Sequence, residues 1–328
     1  MLWRPKEEKD TIGYIIRRLL QSVLVVLGTM LIVFLLFRLE GPVALARSVL
    51  QSPKATPAQL NAVIKQYGYN LPPWDQFWHQ ILNYLQLNFG RSPATNQSVL
   101  AEIRTALPRS LLLVGMSIVF AILVAIPLGV FQVVRRNKPS DYILTALSFI
   151  FYAMPAFLLG SLMLLIFEDY WHIFTPISES ESITQIAFDW RQITPVVLTL
   201  AALTVAAFSR YMRSSMMDAL TEDYVRTARS KGAGQGRVLF RHAFRNALIP
   251  IITLVGLSLP AVAGGAVITE VVFNYPGMGL LTYNAAISNQ VQVVVATTVV
   301  ATILTVAGSL LADILYAVAD PRIRYGYP

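Results

Sequence analysis

Six apolar runs divide the chain, at 15–37, 110–134, 142–167, 193–209, 249–269 and 291–317. Crossing a hydrocarbon layer of about 30 Å takes roughly 20 helical residues. None of the runs carries Asp, Glu, Lys or Arg in its middle. Lipid offers no partner to an unpaired backbone N–H or C=O, so such runs must be helices. The pattern predicts an all-α membrane protein with six transmembrane helices, the fourth run being the shortest. Pro127, Pro155, Pro195, Pro250 and Pro260 lie in or at the ends of these runs. A proline removes one backbone hydrogen bond and kinks a helix, and Pro155 and Pro260 are the candidate helix bends.

The intervening segments are of two kinds. The connection at 38–109 is amphipathic from Thr56 to Asn88, with Leu60, Val63, Ile64, Trp74, Phe77, Trp78, Ile81 and Leu85 at helical spacing. Pro72 and Pro73 separate it into two short helices. Its aromatic residues suit helices lying at a membrane surface or packed over the spans. The segment from Arg210 to Pro250 is instead the most charged of the chain. Thr221 is the expected N-cap of a short helix, with Glu222 and Asp223 in its first turn and Arg226 and Arg229 towards its end. Gly232 supplies the left-handed stop. Helical spacing resumes from Arg237 to Arg245 after the turn at 232–236.

Lys and Arg near span ends set orientation. Arg17 and Arg18, then Arg135, Arg136 and Lys138, the basic segment, and Arg322 and Arg324 all fall on one side of a six-span chain. The opposite side holds Glu168, Asp169, Glu179, Glu181 and Asp189 and an uncharged loop at 271–290. Both termini are therefore expected in the cytosol. The expected division is a cytosolic tail at 1–14, a first span at 15–37 and an external amphipathic region at 38–109. A five-helix core at 110–318 follows, containing the cytosolic segment 210–248, and then a cytosolic tail at 319–328.

Composition narrows the function. Hydrophobic residues make up 55% and charged residues 13% of 328 residues, which excludes an ordinary soluble enzyme. The net charge of +8 reflects basic cytosolic loops and contacts with membrane lipid rather than nucleic acid. Without cysteine there is neither a disulfide nor a thiolate metal site. His79, His172 and His242 are scattered, and no Ser/His/Asp set can be assigned. The run KGAGQG at 231–236 lacks the Gly-Lys-Ser/Thr ending of a phosphate-binding loop, and no strand precedes it. No catalytic residue, no metal site and no cofactor bound by this chain are expected.

The basic segment resembles the signature loop of ABC-transporter permease subunits, in which Glu-Ala-Ala is followed by three residues, a glycine and a later Leu-Pro. Arg226-Thr227-Ala228, Gly232 and Ile249-Pro250 take those places, so an arginine stands where the general pattern has glutamate. EDYVRTARSKG, RHAFRNALIP, YGYNLPPWDQFWHQILNYLQLNFGRS, GGAVITEVVFNYPGMG and DPRIRYG are similar to the dipeptide/oligopeptide/nickel branch. The resemblance implies a six-span type I importer permease in a bacterial inner membrane. It also implies a homologous second permease subunit, forming a heterodimer, two ATPase subunits that bind ATP and Mg, and an external substrate-binding protein. The ATPase-coupling residues it implies are Arg226, Thr227, Ala228, Gly232, Ala233, Arg237, Leu239, Phe240 and Arg241, with Leu239 and Phe240 as anchors. It places Glu270, Tyr275 and Pro276 near an outer gate. A lone carboxylate such as Glu270 at a membrane edge would ordinarily be solvated. Peptides are the expected cargo, with nickel chelates or oligosaccharides as alternatives. A stand-alone carrier or a non-transporting membrane scaffold is the reading from another class; a carrier would ordinarily need a charge inside a span.

Overall fold

Proline, glycine and helix-capping residues decide where the apolar runs begin and break. A computed structural model describes residues 7–52, 54–178, 182–264 and 266–319. The tail with Arg322 and Arg324, residues Glu179 and Glu181, and the side-chain surroundings of Pro260 lie outside the described residues.

The order along the chain is α1 (Glu7–Arg38), α2 (Pro42–Leu50), α3 (Pro57–Gln66), α4 (Pro73–Leu85), α5 (Val99–Val134), α6 (Pro139–Ala153) and α7 (Ala156–Met163). A π-helical stretch, Leu164–Tyr170, extends α7. There follow α8 (Ile183–Phe188), α9 (Trp190–Thr221), α10 (Asp223–Ser230), the single turn α11 (Gln235–Arg237), a π-helical turn (Val238–Ala243), α12 (Phe244–Gly264), α13 (Val267–Val272), α14 (Met278–Ile287) and α15 (Val291–Ala319). Five described helices are long and apolar enough to cross a membrane, and the count is six if the bent pair α6 and α7 is one span.

That pair divides the expected span at 142–167 beside Pro155. The two helices meet at 104°. Pro155 has no N–H to continue the ladder, and it forces the preceding residue out of the helical region. Met154 accordingly sits at φ −74°, ψ 127°. Pro127, by contrast, stays inside α5, and Pro260 lies within the run of α12.

Three further boundaries differ from expectation. α5 begins at Val99 rather than 110 and passes through Pro108. The run at 193–209, expected to be the shortest span, is the middle of a 32-residue helix, about 48 Å long at 1.5 Å per residue. The fifth run does not continue to 269, because α12 ends at Gly264 and α13 is separate.

The amphipathic stretch 56–88 forms α3 and α4, the second starting at Pro73, and α2 precedes them in the same connection. Phe77 and Ile81 turn inward against Met30 of α1 and Val291, Val295 and Val299 of α15, so α4 packs over the spans. Trp74, Trp78 and Leu85 remain exposed. α1 exposes Leu20, Leu24 and Leu36 along its length, as expected of a helix whose solvent is lipid. The long helices α5 and α9 pack together, and so do α12 and α15. Lipid is as apolar as leucine, so such pairs are held by close packing rather than by expulsion of water.

Candidate functional site: the basic segment and the buried carboxylate

The basic segment starts within α9. Met212, Met216 and Ala219 keep α9 packed against Val130 and Val133 of α5, so the helix runs on through Thr221. Thr221 is therefore its last residue rather than the N-cap of the next helix, and its hydroxyl donates to the Asp218 carbonyl at 2.7 Å. The N-cap of α10 is Glu222, at φ −67°, ψ 150°. Along α10, Val225 and Ala228 face inward while Arg226, Thr227 and Arg229 are exposed. Ala228 thus belongs to the supporting face of the segment.

Gly232 stops α10 at φ +80°. Its N–H donates to the Arg229 carbonyl at 2.9 Å, and the Ala233 N–H donates to the Ala228 carbonyl at 3.0 Å. These two bonds form a Schellman stop, in which a left-handed residue is needed and glycine is unstrained. Past the half-buried Ala233 the chain turns into α11. The inward residues Val238 and Ala243 are five positions apart, the repeat of the π-helical turn in which they lie. With Val238 and Ala243 inward, Leu239 and Phe240, both implied as anchors, are placed differently. Leu239 packs against the interior cluster of Met212, Met216 and Ala247. Phe240 is 61% exposed, and Arg237 and Arg241 flank it on the outer face. Among the described residues no carboxylate pairs with either arginine. Arg226 reaches Asp223 at 3.5 Å, but both are exposed, and such a pair contributes little.

A residue pair not foreseen from the sequence fastens this end of the molecule. Asp141, in the first turn of α6, is buried and accepts two bonds from Arg213 of α9, at 3.0 and 2.9 Å. The Asn137 N–H donates to the same carboxylate at 3.2 Å. A bidentate guanidinium pair is directional as well as strong. It fixes α6 to α9 where the basic segment begins. The partners are 72 positions apart, and only the helix-start position of Asp141 hinted at a role.

At the other end of the molecule Glu270 is fully buried, unlike an ordinary solvated carboxylate at a membrane edge. The turn between α13 and α14 folds back over it. Ser110 of α5 donates through Oγ to Glu270 Oε1 at 2.7 Å, and the Gly279 and Leu280 N–H groups donate to Oε2 at 2.7 and 3.1 Å. Ser110 Oγ in turn accepts from the Met278 N–H at 2.8 Å. Burial pushes the Glu270 carboxyl above its ordinary range, and the bonds from Ser110, Leu280 and Gly279 oppose that rise. Tyr275 is fully buried and donates to the Arg109 carbonyl at 2.8 Å, while the buried Pro276 accepts from Arg109 at 3.3 Å through its carbonyl. At Gly277 a Cβ would overlap Ser110 Oγ and Glu270 Oε2. Glu270, Tyr275 and Pro276 are therefore one knot, and Ser110, Arg109 and Gly277 complete it.

Residues 117–325 match the family described as binding-protein-dependent transport system inner membrane component. The chain is 37% identical over 319 residues to the oligopeptide transport system permease protein AppB of Bacillus subtilis (strain 168), covering 95% of this chain and 99% of that protein. It is 32% identical over 317 residues to the glutathione transport system permease protein GsiC of Escherichia coli (strain K12), covering 96% of this chain and 99% of that one. Its apolar helices, its basic segment and these full-length matches place the chain in the family of binding-protein-dependent transport system inner membrane components.

Proposed function

We propose that this chain forms half of the pathway of an ATP-driven importer and passes peptides delivered by an external binding protein. AppB and GsiC, named for oligopeptide and glutathione transport, supply the substrate class. The observation that carries the coupling mechanism is the outward face of Arg237, Phe240 and Arg241 after the Gly232 stop. An exposed aromatic flanked by arginines that no carboxylate pairs with among the described residues is the composition of an interface anchor. ATP and Mg belong to two separate ATPase subunits, one of them docked on that face, and this chain contributes no catalytic group or cofactor. The second permease is a homologous chain, giving a heterodimer. The basic segment and both termini lie in the cytosol, and the Glu270 knot lies at the outer side.

In this mechanism ATP closes the ATPase pair and moves the docked turn. Arg213 and Asp141 carry the motion from α9 to α6, whose break at Pro155 lets α6 and α7 reorient. Pro260 is the second bend, and the rigid knot at Glu270, Tyr275 and Pro276 holds the outer rim. ATP and loaded binding protein bias two states of one pathway.

The test is ATP hydrolysis by the complex purified through this chain into nanodiscs, with its binding protein and a peptide mixture, nickel chelates or oligosaccharides. Peptides alone should stimulate hydrolysis. Stimulation by another ligand would change the cargo, and absence of a co-purifying ATPase would overturn the coupling.

A further inference from the structure

A cavity of about 340 Å³ opens between α5, α6 and α9, lined by Gln132, Thr145, Phe149, Tyr152, Arg210 and Arg213. Its two arginines are in different states. Arg213 is neutralised by Asp141. Arg210 stacks instead on two rings, 4.3 Å from the centroid of Phe149 and 4.9 Å from that of Tyr152. Stacking occupies the guanidinium faces and leaves its N–H edge free. Among the described residues that edge meets neither a carboxylate nor another acceptor. Gln132 is fully buried, and its Nε2 lies 3.3 Å from Thr145 Oγ1. Its Oε1 has no hydrogen-bond partner. A buried acceptor without a donor is rare enough in folded proteins to require an explanation.

The cavity therefore offers one uncompensated positive charge and has in its wall one buried acceptor without a donor. Its natural occupant is an anion that also carries a hydroxyl or amine donor. Depth identifies the source. Arg210 is the first charged residue after the uncharged run 193–209, which covers about 25 Å at 1.5 Å per residue. That puts the guanidinium at the membrane boundary, with the half-exposed Phe149 and Tyr152 beside it. Aromatic side chains favour this level, and basic pockets between spans suit lipid headgroups.

We propose that Arg210 binds the phosphodiester of an anionic phospholipid, and that Gln132, in the wall of the same cavity, turns its Oε1 to accept from the headgroup hydroxyl, as phosphatidylglycerol allows. The site does not depend on the peptide reading. Only its assignment to the cytosolic leaflet rests on the orientation proposed above. Since α9 runs unbroken from Arg210 to Thr221, an occupied site would clamp α6 to α9 beside the basic segment.

The test is native mass spectrometry of the intact complex, exchanged into nanodiscs of phosphatidylcholine with graded phosphatidylglycerol. The wild type should retain phosphatidylglycerol, and Arg210→Gln should lower that retention about tenfold, the scale of one charge-assisted hydrogen bond. Arg136→Gln, an exposed arginine outside the cavity, serves as the control for general surface attraction. Gln132→Glu supplies an internal carboxylate for Arg210 and should also displace the lipid, which keeps the test decisive if Arg210→Gln fails to assemble. Millimolar inorganic phosphate should leave the bound lipid in place. Equal retention in wild type and Gln132→Glu would overturn the proposal. So would equal losses in Arg136→Gln and Arg210→Gln, or displacement of the lipid by inorganic phosphate or a peptide.

Discussion

The turn at 273–280 and the turn at 231–237 are both short, glycine-containing links between helices, and they are built in opposite ways. The first spends its polar groups inward: Glu270, Ser110, Tyr275 and the N–H groups of Met278, Gly279 and Leu280 all bond to one another or to α5. The second satisfies its backbone through the Gly232 stop and turns Arg237, Phe240 and Arg241 outward. A link finished within its own chain is fixed in one shape. A link with an aromatic on its surface and charges that have no partner among the described residues suits completion by another molecule. Under the proposed function, the contrast separates a rigid outer rim from a driven inner handle.

The outer turn should be the easier one to break. Gly277→Val puts a branched side chain against Ser110 and Glu270 and should destabilise the complex by about 3 kcal/mol, the scale of an overpacked core. A thermal midpoint equal to that of the wild type would show that the knot yields. Gly232→Ile should act differently. A β-branched residue in the left-handed region costs about 1–2 kcal/mol, spent locally on an exposed turn. Folding should survive, while ATP hydrolysis continues without uptake. Uptake in proteoliposomes at the wild-type ratio of transport to hydrolysis would remove Gly232 from the coupling.

The smallest effect is a pH dependence. Because burial raises the Glu270 carboxyl, the fold binds its proton more tightly than the unfolded chain does. The resulting stability is fully present below the ordinary carboxylate range and is lost as pH rises through the raised value. Glu270→Gln should flatten that slope in thermal unfolding between acidic and neutral pH. An unchanged slope would assign it to another group.

The sequence disclosed the two regions unequally. Apolar length located the membrane helices, and Gly232 marked its own turn because few other residues adopt φ +80°. Pro72-Pro73 likewise separated α3 from α4. What stayed hidden depends on distant partners. Glu270 reads as a solvated edge charge until Ser110, 160 positions away, is brought beside it. Asp141 reads as a helix-start acid until it meets Arg213. Leu239 and Phe240 are neighbours with equal claims to be anchors, and only the inward facing of Val238 and Ala243 decides which faces out. Thr221 was a sound cap by residue type, but packing of Met216 and Ala219 carried α9 past that position.

The central claim is that the inner turn is completed by an ATPase subunit, with Phe240 as its anchor. The most direct measurement is the amount of ATPase that co-purifies with Phe240→Ala, set against the thermal midpoint of the permease itself. A hot-spot aromatic is worth about 2 kcal/mol or more at an interface, so co-purification should fall roughly thirtyfold while the permease midpoint stays unchanged. Full co-purification and full ATP-driven uptake in Phe240→Ala would contradict the account.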